Sequence, residues 1–318
     1  MKIVVLDSYT VNPGDLNWSE LEKLGELVLY DRTSADQTIS RSKEADAILT
    51  NKVVVDSTVI ASLSKLRYIG VLATGTNVVD LNSARTRGIV VTNVPRYCVE
   101  SVVQSVFAHL LNLVSNFSKH VAAVQCGEWV NSPDFSFSKG KPVELYGKRL
   151  GIVGFGATGR RVAQVAAAFG MKVVAYSPRL SFGSYYDEVQ AVSLDDLFRI
   201  SDVVSLHCPL TEQTRNLVNK QRLEAVKDGM LLINVSRGSI LNEQDVADAL
   251  NSGRLGGLGA DVLSTEPPAT DNPLLYAPNC YLTPHNAWTT YEARTRLIQI
   301  ATNNLKAFLE NKPVNVVN

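Results

Sequence analysis

Short runs of apolar, largely β-branched residues recur along the chain, and the stretches between them read as helices. The runs fall at residues 3–6, 27–30, 47–49, 68–72 and 89–92, and a second series follows at 150–153, 172–176, 203–206, 231–234, 259–262 and 280–282. Within each run the apolar positions are consecutive and do not alternate with polar ones, the pattern of parallel strands covered on both faces. Strands alternating with helices in this way predict a doubly wound α/β architecture. Residues 99–125, between the two series, contain no glycine or proline and predict one long helix. Residues 291–311 place Leu297, Ala301, Leu305 and Phe308 on one face and predict an amphipathic helix. Between 126 and 148 the pattern lapses. That stretch is long for a connection and carries Trp129, Phe135 and Phe137, which water does not favour. It reads either as an arm folded over its own domain or as an arm embracing a second subunit.

A chain of 318 residues is long enough for one large or two ordinary domains. Its 31 basic and 31 acidic residues balance, so charge gives no ground for expecting nucleic acid or an acidic surface as partner. No apolar run approaches the roughly 20 residues of a membrane span. The opening Met1-Lys2-Ile3-Val4-Val5-Leu6-Asp7 is too short and too soon acidic for a secretory signal, so it reads as a first strand. Cys98, Cys126, Cys208 and Cys280 show no CxxC spacing. They are expected to be free thiols in a reducing cytoplasm, and no metal site is expected.

The first chemistry-bearing motif is Gly154-Phe155-Gly156-Ala157-Thr158-Gly159, with an apolar run before it, a helical stretch after it and a second run at 172–176. In that context a glycine turn can hold a dinucleotide. Gly154 permits the tight turn, Gly156 lets backbone approach the pyrophosphate, and Gly159 allows close helix–strand packing, while the backbone from Ala157 and Thr158 opens the helix. The helix N-terminus offers free N–H groups and a positive dipole to phosphate. The second run ends in Tyr176-Ser177-Pro178-Arg179 and lacks the acidic residue that would bond ribose hydroxyls and repel a 2′-phosphate. Ser177 can donate to a phosphate and Arg179 can pair with it, so NADP is tolerated or preferred over NAD. The rival reading has Arg179 in solvent and NAD bound without the carboxylate.

Three further residues follow in order: Arg237 in Asn234-Val235-Ser236-Arg237-Gly238, Glu266 before Pro267, and His285 in Thr283-Pro284-His285-Asn286-Ala287-Trp288. A guanidinium can clamp a carboxylate with two parallel bonds. A histidine fixed by a carboxylate can pass a proton to a carbonyl oxygen. Beyond a dinucleotide turn, the trio points to hydride transfer to a 2-keto acid. His109 and His120 fall in the predicted long helix with no motif nearby, and are expected to face solvent or core.

These motifs, with Ala73-Thr74-Gly75-Thr76-Asn77-Val78-Val79-Asp80 and Thr92-Asn93-Val94-Pro95, resemble the D-2-hydroxyacid dehydrogenase family over most of the chain. Trp288 and Cys98-Val99-Glu100-Ser101-Val102-Val103-Gln104 are most similar to its glycerate dehydrogenase (hydroxypyruvate reductase) branch. The resemblance implies two doubly wound parallel-sheet domains. A Rossmann cofactor domain, 99–288, would be inserted in a flavodoxin-like substrate domain, 1–98 with 289–318, and closure of the two would exclude water from the active site. It implies catalytic roles for Arg237, Glu266 and His285. It sets Thr74, Val235, Ser236 and Asp261 near the nicotinamide, with Asp261 either accepting from the carboxamide or simply capping a strand end. It runs the loop His207-Cys208-Pro209-Leu210-Thr211 under the adenosine, with Cys208 as a contact and His207 as packing. It makes Thr74 and Gly75 backbone donors to the substrate carboxylate, while Tyr97 and Trp288 either wall the pocket or pack in the core. The implied assembly is a homodimer. The expected reaction is reduction of hydroxypyruvate to D-glycerate, with D-lactate dehydrogenase and glyoxylate reductase as alternatives. A dinucleotide-sensing, corepressor-like binding protein is the alternative of another class. A 3-phosphoglycerate dehydrogenase is disfavoured, because the chain has no added regulatory domain and no basic cluster for a second phosphate.

Overall fold

Two parallel sheets carry the chain. In the computed structural model, which describes all 318 residues, contacts cluster into two units, Met1–Cys98 with Trp288–Asn318, and Val99–Ala287.

The first unit contains β1 (Lys2–Val5), β2 (Glu26–Leu29), β3 (Ala47–Thr50), β4 (Tyr68–Val71) and β5 (Val90–Thr92), all parallel, in the order β2-β1-β3-β4-β5. This is the flavodoxin-like arrangement. The consecutive apolar runs are explained by burial on both faces. Ile3, Val5 and Leu49 pack with Leu297, Ala301 and Leu305 of the helix Tyr291–Leu309. Val4, Ile48 and Ile69 pack on the opposite face with Val59 and Ile60. Arg294 fixes the final helix to the loop after the short helix Ser8–Val11 by a paired contact with Asp15, at 2.7 and 2.6 Å.

The second unit contains β6 (Arg149–Val153), β7 (Lys172–Tyr176), β8 (Tyr185–Tyr186), β9 (Val189–Ala191), β10 (Val203–Leu206), β11 (Met230–Asn234), β12 (Leu255–Ala260) and β13 (Cys280–Leu282). Their order is β13-β12-β11-β10-β6-β7-β9-β8, parallel except for β8 against β9. Counted from the glycine-turn strand, β9-β7-β6-β10-β11-β12 is the Rossmann order 3-2-1-4-5-6. The short β8–β9 hairpin has no counterpart in the apolar pattern.

Two expectations need correction. The single helix predicted over 99–125 is two helices, Val99–Ser115 and Phe117–Gln125, broken at Asn116. Asn116 takes left-handed backbone angles (φ 52°, ψ 36°), which asparagine tolerates better than most residues. The Asn112 side chain accepts from the Ser118 amide at 2.9 Å and supports the break. The run at 259–262 also misplaces a strand: β12 is Leu255–Ala260, because Gly256, Gly257 and Gly259 dilute its apolar signal. Residues 126–148 form turns without a strand or helix, and expose Trp129, Val130 and Phe135. No helix is long and apolar enough to cross a membrane, and all four cysteines are free.

Candidate active site

Every chemistry-bearing motif of the second unit leaves the same edge of its sheet. The glycine turn follows β6, Ser177 follows β7, His207 and Cys208 follow β10, Arg237 follows β11, Asp261 and Glu266 follow β12, and His285 follows β13. These strands are parallel, so all the motifs stand at carboxyl ends, where open α/β sheets bind ligands. The strand order reverses at β6 and β10, and the glycine turn sits there.

At Gly154 the backbone has φ 98°, and an added Cβ would lie 2.5 Å from the backbone of His207 and Cys208. Only glycine fits that turn. A Cβ at Gly159 would meet the Gly154 carbonyl oxygen at 2.2 Å, so the helix Ala157–Ala168 runs tight against the turn. Around Gly156 the space is open, and no side chain caps that helix. Its first N–H groups therefore point outward with the positive end of the dipole, an arrangement that fits a pyrophosphate. Ser236 closes the adjoining side by donating its hydroxyl to the Cys208 carbonyl. Cys208 thus contributes backbone; burial pushes its thiol up to about 11. His207 bonds Ser205 at 2.8 Å, and burial pushes its imidazole down to about 4, so it packs as a neutral ring. Ser177 is part-buried and Arg179 exposed, with the Arg179 amide 3.5 Å from the Ser177 hydroxyl.

His285 Nδ1 lies 2.6 Å from Glu266 Oε2. The other oxygen of Glu266 accepts from the Leu263 amide at 3.0 Å, which fixes the carboxylate in its loop. With Nδ1 engaged, Nε2 is the nitrogen left to exchange a proton with a substrate. His285 adopts φ 51°, an uncommon value for a residue with a side chain and one that recurs at functional positions. Arg237 is part-buried, and its Nη1 donates to the Ser236 carbonyl at 2.7 Å. Beside it, a Cβ at Gly238 would fall 1.9 Å from the Leu263 carbonyl carbon. The turn bearing Arg237 and the loop bearing Glu266 are therefore in direct contact. Val235 is part-buried between Asn234 and Ser236 in the same turn.

Asp261 is buried and takes three protein donors: the Thr283 hydroxyl at 2.6 Å, the Asn286 amide at 2.9 Å and the Ala287 amide at 2.8 Å. It caps the backbone just after His285, and this capping does not conflict with accepting from a carboxamide. In the first unit Thr74 is exposed, donating to the Val94 carbonyl at 3.0 Å, and Gly75 is part-buried beside it. Tyr97 is buried, and its ring meets Trp288 edge-on at 6.2 Å between centroids, so both pack in that unit's core. No group of three or more His, Cys, Asp or Glu side chains is arranged to hold a metal ion.

Sequence reasoning missed three supporting residues. Buried Asn234 folds the arginine turn, donating to the Arg237 carbonyl at 2.9 Å and accepting from the Ser236 amide at 3.1 Å. Glu243 holds the glutamate loop by accepting from the Ser264 amide at 2.6 Å, the Ser264 hydroxyl at 2.8 Å and Asn272 at 2.9 Å. His109 is buried and bonds Thr283 at 3.2 Å. Asn234 opens the Asn234-Val235-Ser236-Arg237-Gly238 motif, where an asparagine at a strand end is a turn signal. The other two act across 21 or more positions, and no local pattern marks them.

Residues 107–287 match the family described as D-isomer specific 2-hydroxyacid dehydrogenase, NAD binding domain. Along its whole length the chain is similar to the hydroxypyruvate reductase of Blautia hydrogenotrophica, 47% identical with 100% of both chains covered. It is similar also to the glycerate dehydrogenase of Methylorubrum extorquens, 34% identical over 99% of this chain and 98% of that one. Among solved structures, an acyclic imino acid reductase in complex with NADPH and D-Arg superposes with a TM-score of 0.87 at 28% identity, covering 100% of both chains.

Proposed function

The chain belongs to the D-isomer specific 2-hydroxyacid dehydrogenase family, and from that membership we propose that its substrate is hydroxypyruvate, reduced to D-glycerate. The observation that carries the reading is the 2.6 Å bond between His285 and Glu266 at the carboxyl edge that also bears the glycine turn. Full-length similarity to a hydroxypyruvate reductase supports the choice among small 2-keto acids.

When bound, the nicotinamide supplies the hydride. Arg237 holds the substrate carboxylate through its planar fork and polarises the adjacent carbonyl. His285, protonated, gives its Nε2 proton to the keto oxygen. Glu266, acceptor-only when ionised, stabilises the imidazolium that must form beforehand and keeps the ring in orientation. Asp261 would accept from the carboxamide of a bound nicotinamide and so would select the ring face presented. The backbone N–H groups of Thr74 and Gly75 are proposed as donors to the carboxylate, and part-buried Trp288 as an apolar limit on substrate size. The test is a panel of hydroxypyruvate, glyoxylate and pyruvate with NADH and NADPH. Hydroxypyruvate should give the highest kcat/KM. Preference for either competitor would overturn the substrate, and absence of turnover would overturn the reading.

The cofactor is read as NADP or NAD, with the 2′-phosphate accepted, since Tyr176-Ser177-Pro178-Arg179 carries no carboxylate to repel it. Replacing Arg179 with alanine is expected to raise the KM for NADPH on the order of tenfold, the loss of one charge-assisted contact, while leaving NADH nearly unaffected. Equal effects on both cofactors, or none on either, would show that Arg179 does not read the phosphate.

The exposed aromatics of residues 126–148, with Phe135 92% and Tyr146 79% accessible, support the reading of this segment as an arm in a homodimer. Sedimentation at micromolar concentration should give the dimer mass; a monomer would refute the assignment.

A further inference from the structure

One buried titratable side chain has no part in the chemistry above. His109 lies in the helix Val99–Ser115, only 6% exposed, against β12. Space for it comes from Gly259, where a Cβ would stand 2.6 Å from His109 Cβ and 2.9 Å from its Cγ. The imidazole Nε2 lies 3.2 Å from the Thr283 hydroxyl, and that hydroxyl lies 2.6 Å from Asp261 Oδ1. A hydroxyl has one hydrogen, and a carboxylate can only accept, so Thr283 gives its hydrogen to Asp261. Toward His109 it can then only accept, which requires Nε2 to carry hydrogen. Burial favours the neutral ring, with the Asp261 charge opposing. Asp261 in turn takes the amides of Asn286 and Ala287, the two residues that follow His285. The same helix makes a second tie to this loop: Ser101, eight residues and just over two turns before His109, donates to the Ala287 carbonyl.

We propose that His109 is a positioning residue for the reaction, acting through Thr283 and Asp261 to hold the backbone of residues 286–287, and with it His285 in its left-handed conformation, in register for proton transfer. The proposal rests on the reading of His285 as proton donor. A histidine on the buried face of a helix would otherwise be replaceable by leucine, which fills a core site without a polar atom. Here its hydrogen orients a hydroxyl whose other bond sets a carboxylate, and misplacement of a catalytic group by a fraction of an ångström is costly even when the change is remote.

The test compares His109→Leu, His109→Gln and Thr283→Val with the wild-type enzyme, each checked for a native circular dichroism spectrum. Two quantities are measured: kcat and KM for hydroxypyruvate reduction, and hydrogen-exchange protection of the Asn286 and Ala287 amides. His109→Leu should lower kcat about tenfold with little change in KM, and should lower protection of the two amides several-fold. His109→Gln, whose amide can donate to Thr283, should recover most of both. Thr283→Val should reproduce the leucine phenotype, and His109→Leu combined with Thr283→Val should be no worse than either change alone. If His109→Leu fails to fold, Thr283→Val and His109→Gln carry the comparison. Unchanged amide protection, unchanged kcat, or a glutamine variant as impaired as leucine would overturn the proposal. A wild-type enzyme that reduced no 2-keto acid would remove the functional reading and the positioning role with it, while amide protection would still report whether the hydrogen-bond chain exists.

Discussion

Replacing Arg237 with lysine is expected to cost about 2–4 kcal/mol of transition-state stabilisation, roughly a 30- to 1000-fold fall in kcat/KM. The charge survives but the planar fork does not. Arg237 already donates one Nη1 hydrogen to the Ser236 carbonyl at 2.7 Å, which steers the rest of the guanidinium. A lysine ammonium could satisfy that carbonyl or approach a carboxylate, but could not present two parallel donors while doing so. Cofactor affinity, read by quenching of nicotinamide fluorescence, should hardly move. That separates loss of the anchor from collapse of the loop that Gly238 presses against Leu263. A lysine variant with near-wild-type kcat/KM would end the assignment of Arg237 as the clamp.

The parts of this fold that were legible are those dictated by burial on both faces of a sheet. The consecutive apolar runs that became β1, β3, β4, β6 and β10 are fully or almost fully buried, so their sequence has no polar phase to obscure the strand. The glycine turn was readable because backbone geometry leaves no alternative at Gly154 and Gly159. β12 was harder. Its glycines serve the helix packed on them, Gly257 beneath Leu113 and Gly259 beneath His109, so a tertiary need erased the local strand signal. The break at Asn116 was hidden because asparagine is unremarkable in a helix until its backbone turns left-handed.

The site divides along the same line. Arg237, Glu266 and His285 were visible because each stands in a short motif at a strand end. Glu243 and His109 were not, although one holds the Glu266 loop and the other bonds to the residue two before His285. Their partners lie 21 to 174 positions away, and only the closed sheet brings them together. Groups that contact a ligand leave local signatures in a single sequence. Groups that aim those residues leave almost none.

The largest loss should follow replacement of His285 itself. His285→Gln keeps a side chain able to bond Glu266 but removes the transferable proton, so kcat/KM for reduction should fall by about 10²- to 10⁴-fold. Glu266→Gln is the companion variant. Glu266 is bonded to the ring at 2.6 Å; an amide in its place keeps a hydrogen-bonding group but offers no negative charge. On the proposed mechanism kcat/KM should fall about tenfold in both directions, the loss of one charge-assisted bond, while cofactor affinity holds. The measurement is kcat/KM for reduction and for oxidation, for wild type and both variants. Were Glu266→Gln to keep wild-type rates, the 2.6 Å contact would be a structural bond without mechanistic consequence. Were His285→Gln to retain wild-type activity, the proton would have to come from another group.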